Sequence, residues 1–127
     1  MKYEEYNINE KLFGSEYLIY DWNESEQEHH IYVKSKCHTN RCPTCGEDSA
    51  CFHATYRRTI QTIPITGKTT YAHVTAYKYN CCNTSCHLKV FMEPLPFAAP
   101  FQVRTTELNL LILAVSIFLS NEGLVIS

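Results

Sequence analysis

The chain has 127 residues, 45% of them apolar, with a formal net charge of −2 and seven cysteines. That length suits one domain, or one small domain with an appended helical piece. The N-terminal Met1-Lys-Tyr-Glu-Glu-Tyr6 shows no apolar signal-peptide core, so the thiols are expected in a reducing compartment, where an odd number of cysteines favours metal ligation over a disulfide framework.

Residues 1–15 read as irregular, or as a short helix around Asn9–Phe13. Tyr17–Asp21 and His30–Lys34 are rich in β-formers and flank a polar segment, so they read as a hairpin. Charge is uneven along the chain. Residues 1–33 carry eight acidic side chains against Lys2 and Lys11, while residues 34–104 carry nine basic against three acidic ones, a net +6. A basic segment of this kind suits a nucleic-acid surface, and it equally suits scattered solubilising charge.

Two cysteine pairs follow, Cys42-Pro-Thr-Cys45-Gly46 and Cys81-Cys-Asn-Thr-Ser-Cys86, separated by 35 residues. A Cys-x-x-Cys-Gly bend places two thiolates on one side of a tight turn, and a second distant pair can complete a tetrahedral four-sulfur shell around zinc. Either Cys81 or Cys82 has a spacing to Cys86 that would serve. Cys37 and Cys51 read as spare thiols. His53 and His87 could each ligate a metal, but four cysteines already fill a tetrahedron.

Between the pairs, Arg58–Ile65 and Thr69–Asn80 are β-rich and separated by Thr66-Gly67-Lys68, a hairpin turn. Period-two alternation would put Tyr71, His73, Thr75, Tyr77 and Tyr79 on one face; such tyrosines could stack on bases, or fill a core. Ile65-Thr-Gly67-Lys68-Thr69 ends like a phosphate-binding loop, but position 62 is Thr where that motif needs Gly, and no helix pattern follows. A short strand-like Lys89–Met92 precedes Glu93, which reads as a neighbour of the second knuckle without chemistry of its own.

Pro94, Pro96 and Pro100 mark an extended linker. From Thr105 or Thr106, either able to cap, Leu108, Leu111, Ile112, Val115 and Leu119 repeat at helical spacing. The apolar run 110–119 is too short for a membrane span and reads as a buried helix. Asn121-Glu-Gly123 reads as a break, and Leu124–Ser127 as the start of another element. That ending suits the opening of a helix-turn-helix whose second helix is missing, or a simple C-terminal helix.

The motifs Cys42-Pro-x-Cys45-Gly46, His53-x-x-x-Arg57-Arg58, Ile63-Pro64-x-x-Gly67-Lys68, Cys81-x-Asn83-x-x-Cys86-x-x-x-x-Phe91-x-Glu93 and Arg104-Thr105 stand in order with compatible gaps. Together they resemble the N-terminal zinc-finger region of bacterial insertion-sequence transposases of the ISL-three type. The resemblance covers about Lys36 to Thr106. It departs where Thr84 stands for the usual Pro, and where Tyr77-Lys-Tyr-Asn80 replaces a run richer in Arg.

With the N-terminal hairpin read above, the resemblance implies an α+β fold: a small zinc-ribbon-like β domain with an N-terminal β-hairpin and a C-terminal helix, the start of a helix-turn-helix. The parts would be an acidic β segment (1–35), the zinc-ribbon-like domain (36–93), a Pro-rich linker (94–104) and a helical segment (105–127). It implies Cys42, Cys45, Cys81 and Cys86, with Cys81 preferred to Cys82, as ligands of one structural Zn2+ per chain. Arg57, Arg58, Lys68, Lys78 and Arg104 would be phosphate contacts. The partner would be DNA, at the terminal inverted repeats of a mobile element, in a bacterial cytoplasm and nucleoid. A homo-oligomer is open, and neither a membrane nor a small-molecule substrate is expected.

No catalytic domain is expected in this chain, since its aspartates, Asp21 and Asp48, belong to no metal-binding carboxylate set, and isolated DNA binding is expected to be weak. A zinc-stapled interaction or oligomerisation module, or an inactive transposase remnant, is the alternative.

Overall fold

The computed structural model describes residues 8–126; Lys2, Glu4 and Glu5 of the acidic segment, and Ser127, lie outside them. Helix α1 (Ile8–Phe13) leads into strands β1 (Tyr17–Glu24) and β2 (Glu28–Ser35). The short pair β3 (Asn40–Arg41) and β4 (Asp48–Ser49) follows, then the long strands β5 (Phe52–Ile65) and β6 (Lys68–Asn80). Strand β7 (Val90–Met92) and helix α2 (Thr106–Ile126) complete the order. The fold is mixed α and β, dominated by strands, with a C-terminal helix and a cysteine cluster of zinc-ribbon type.

The main sheet runs β1-β2-β6-β5, with β7 pairing the far end of β6. All of its pairings are antiparallel except β2–β6, which is parallel. The N-terminal hairpin and the hairpin between the knuckles therefore share one sheet. The β5–β6 turn is made by Thr66 (φ 51°) and Gly67 (φ 74°), two left-handed residues as a tight two-residue hairpin turn requires.

One face of the sheet is buried. Ile31, Val33, Ile60, Ala72, Val74 and Ala76 pack with Phe13 of α1, Tyr17 of β1, and Leu95, Phe97 and Ala98 of the Pro-rich segment. Phe97 meets Phe13 and Tyr17 in T-shaped contacts at 5.0 and 5.2 Å between ring centroids. The Pro-rich segment thus lays an apolar cover over the core.

Glu93 locks this assembly. It is 2% exposed. Its Oε2 accepts hydrogen bonds from the Tyr17 hydroxyl (2.6 Å) and the Ser35 hydroxyl (2.6 Å), and its Oε1 accepts from the Tyr77 N–H (3.2 Å). One carboxylate therefore ties β1, β2 and β6 together. Burial, then the hydrogen bond to Glu93, pushes the Tyr17 hydroxyl far above the ordinary phenol value.

Helix α2 departs from the sequence reading in two ways. It runs unbroken through Asn121-Glu-Gly123, because a single glycine costs a helix about 1 kcal/mol and does not by itself end it. Its apolar run is also not buried. Leu108 is 4% exposed, but Leu110, Leu113, Ile117 and Phe118 are all more than half exposed. Thr105 is the cap, its Oγ1 accepting from the Leu108 N–H at 3.1 Å. Among the described residues no helix is long and apolar enough to cross a membrane.

Candidate metal centre

The first knuckle is a tight bend. The Gly46 N–H donates to the Cys42 carbonyl (2.9 Å), and Gly46 takes φ 81°, which an L side chain resists. The Cys42 N–H donates to the Glu47 carbonyl (2.9 Å), fastening the bend beside the β3–β4 pair. The second knuckle leaves the end of β6. Its base is closed by the Cys81 N–H to the Lys89 carbonyl (2.9 Å), and its bend by the Cys86 N–H to the Asn83 carbonyl (3.1 Å). Beneath both lie Tyr79 and Phe91, stacked at 5.7 Å, which with Cys42 and Cys86 form a second small core.

The four sulfurs of Cys42, Cys45, Cys81 and Cys86 all lie within 4.8 Å of one another. Across the knuckles, Cys42 faces Cys86 at 4.0 Å and Cys45 faces Cys81 at 3.6 Å. A tetrahedron with Zn–S bonds of about 2.3 Å has edges of about 3.8 Å, so the cluster fits zinc with only slight contraction. Backbone N–H groups of Cys45 and, more weakly, Thr44 point at the Cys42 sulfur and, against the opposing effect of burial, bring its thiol down to about 7. At Cys81 the Asn83 N–H pulls the same way, but burial and the crowding by Cys45, Cys42 and Cys86 outweigh it, to about 12. Four sulfurs this close ionise together only beside a cation, which is what a metal supplies.

Residues 38–86 match the family model described as the zinc-finger of transposase IS204/IS1001/IS1096/IS1165. That segment resembles a transposase zinc finger. The match covers under half of the chain and bears out the resemblance carried by the sequence motifs. No curated protein and no solved structure matches the chain. With the family match, the four-cysteine cluster is that of a structural zinc site, and a closed four-thiolate shell leaves no position for a catalytic water.

The structure separates the remaining candidates. Cys81, not Cys82, joins the cluster; Cys82 turns away and meets Cys51. His53 and His87 are exposed and stand outside the cluster. Cys37 bonds Glu16 at 3.4 Å. The three tyrosines divide: Tyr79 is buried under the cysteines, Tyr77 packs beside it, and Tyr71 stacks on His30 at 5.6 Å on the outer face.

The basic residues divide as well. Arg57 and Arg58 are adjacent on β5, so their side chains leave opposite faces. Arg57 is exposed and opposite Thr75, which pairs on its other side with Lys34, so one row of the outer face carries both cations. Arg58 turns to the core side and donates to the carbonyls of Ala99 (2.9 Å) and Gln102 (2.8 Å). It lines a groove of about 630 Å³ with Tyr56, Phe91 and Leu95. Lys68 reaches Glu24 (2.5 Å) and the Ser25 carbonyl (2.9 Å), and its ammonium holds the Glu24 carboxyl below the ordinary range. Lys78 is half-buried near β7, and Arg104 is exposed beside Gln61.

Sequence reasoning missed the role of Glu93. Its signal was a lone carboxylate inside Val90-Phe-Met-Glu-Pro-Leu95, where a charge must find partners if the segment is buried.

Proposed function

We propose that this chain is the DNA-contacting zinc-finger portion of an insertion-sequence transposase, and that it recognises the ends of its element. In this reading Cys42, Cys45, Cys81 and Cys86 hold one zinc, which fixes both knuckles to the end of the β5–β6 hairpin. The observation that carries the proposal is the convergence of the four cysteine sulfurs within the segment matched to a transposase zinc finger. Phosphate contacts come from the cations left available on the outer face and near α2: Arg57, Lys34 and Arg104, with Lys78 at the sheet end. Arg58 and Lys68 contribute mainly to structure, because their donors already have protein acceptors. Catalysis of strand transfer would belong to a separate domain.

Fluorescence anisotropy with a duplex of the element's terminal repeat, against a shuffled duplex, tests this. Affinity should fall steeply with salt, and Arg57→Ala should weaken binding to both duplexes and flatten the salt slope by about one unit. Arg58→Ala should instead lower stability, by about 1–2 kcal/mol for two charge-assisted bonds at a partly exposed site. Absence of binding at low salt by the folded, metal-loaded chain would overturn the DNA reading.

One observation favours a second reading, a protein-interaction module: helix α2 exposes Leu110, Leu113, Ile117 and Phe118 with no charged residue among them. Sedimentation across a concentration series, comparing the chain with Leu113→Glu, tests it; self-association abolished by the charge would support that reading.

A further inference from the structure

Three cysteines stand outside the metal cluster, and two of them meet. The Sγ atoms of Cys51 and Cys82 are 3.0 Å apart, and both residues are exposed. Their meeting follows from the sheet. Phe52 pairs with Tyr79, and the Asn80 N–H donates to the Cys51 carbonyl at 2.8 Å, so the start of β5 is held beside the chain leaving β6. Adjacent residues of an extended chain point to opposite sides, which sends Cys81 inward to Cys45 and Cys82 outward to Cys51.

Ser49 fixes the pair from below. It is 2% exposed; its Oγ donates to the Asn80 carbonyl (2.5 Å), accepts from the Cys51 N–H (3.1 Å) and lies 3.4 Å from the Cys82 sulfur.

We propose that Cys51 and Cys82 are a second, redox-active dithiol, oxidised by hydroperoxides to a disulfide that straps the start of β5 to the second knuckle while the four-cysteine site keeps its metal. The distances separate the two kinds of sulfur pair. Sulfurs sharing a zinc stand about 3.8 Å apart, as the cluster's 3.6 and 4.0 Å pairs nearly do, whereas 3.0 Å lies between that spacing and a bond of about 2.05 Å. Accessibility grades them too: Cys42 and Cys86 are buried and Cys45 and Cys81 half-buried, while Cys51 and Cys82 face solvent.

The chemistry balances with hydrogen peroxide as oxidant. One thiolate attacks a peroxide oxygen, the O–O bond breaks, and a sulfenic acid forms as the other oxygen leaves as water. The partner thiol then attacks the sulfenic sulfur, the S–O bond breaks, and a second water leaves. Two electrons pass from the sulfurs to the peroxide, and both thiol protons end on water.

The test uses the full, zinc-loaded chain, with bound zinc measured before and after a limited hydrogen peroxide pulse. Thiols are then alkylated under denaturing, non-reducing conditions and localised by tandem mass spectrometry. The expected result is a loss of two alkylatable thiols, a Cys51–Cys82 cross-link and unchanged zinc. Cys51→Ser should form no cross-link and should carry oxidised sulfur at Cys82. Zinc release in step with thiol loss, with cross-links among the other four cysteines, would overturn the proposal. So would full alkylation of Cys51 and Cys82 after a pulse that oxidises Cys37. A chain that carries no zinc before the pulse refutes the metal site, not the dithiol.

Discussion

Replacing Glu93 with leucine should be among the most damaging single changes outside the cysteines. The carboxylate accepts from three donors, Tyr17, Ser35 and the Tyr77 N–H, and both hydroxyl-bearing residues are under 5% exposed. Removing the acceptor leaves up to three buried donors without a partner, each worth about 1–3 kcal/mol. Two effects reduce that sum: the Tyr17 hydroxyl lies 3.5 Å from the Pro94 carbonyl as a poorer acceptor, and a buried charge is no longer desolvated. A net loss of about 3 kcal/mol is expected, a large part of the roughly 5–15 kcal/mol that holds a domain folded. Glu93→Gln should cost only about 1 kcal/mol, since its carbonyl can accept from Tyr77 while its amide donates to both hydroxyls. Urea unfolding of the zinc-loaded variants, followed by circular dichroism, measures both. Leucine within about 0.5 kcal/mol of the parent chain would refute the view of Glu93 as the tie between the two hairpins.

Gly67→Ala should cost about 1 kcal/mol from backbone strain alone, because Gly67 takes φ 74° and nothing lies within 4 Å of an added Cβ; thermal unfolding reads this directly. Stability should fall as pH drops through about 6.5, because burial and then the neighbouring His30 hold His73 below the ordinary imidazole value. The folded chain then binds fewer protons than the unfolded one, so protonation favours unfolding. His73→Gln should flatten the slope between about pH 7 and 5.5, and an unchanged slope would show that His73 is not its source.

Local pattern made the cysteine knuckles, the hairpin turn at Gly67 and a helix cap at Thr105 or Thr106 legible in the sequence, because each depends on residues a few positions apart. The separation of Tyr79 from the face of Tyr71 was not, because the even alternation slips: β5 carries an extra residue between Phe52 and Ala54, and in β6 the buried set shifts from Ala72, Val74 and Ala76 to Tyr79. The parallel β2–β6 pairing has no local signature, and neither does Glu93, whose partners Tyr17 and Ser35 lie 76 and 58 residues away. Grouping Arg57 with Arg58 overlooked the period of two that sends neighbours on a strand to opposite faces. Helix α2 shows the opposite limit. Its apolar spacing promised burial, but spacing gives a helix a face without giving that face something to pack against.

The central claim is that four cysteine thiolates bind a metal that holds the knuckles together. Elemental analysis by mass spectrometry, on protein purified without chelator, tests it most directly, with Cys42→Ser and Cys86→Ser beside the parent chain. The account predicts about one zinc per chain in the parent, and loss of both metal and folded structure in the two variants. A folded parent chain without metal, or variants that keep full zinc, would contradict it.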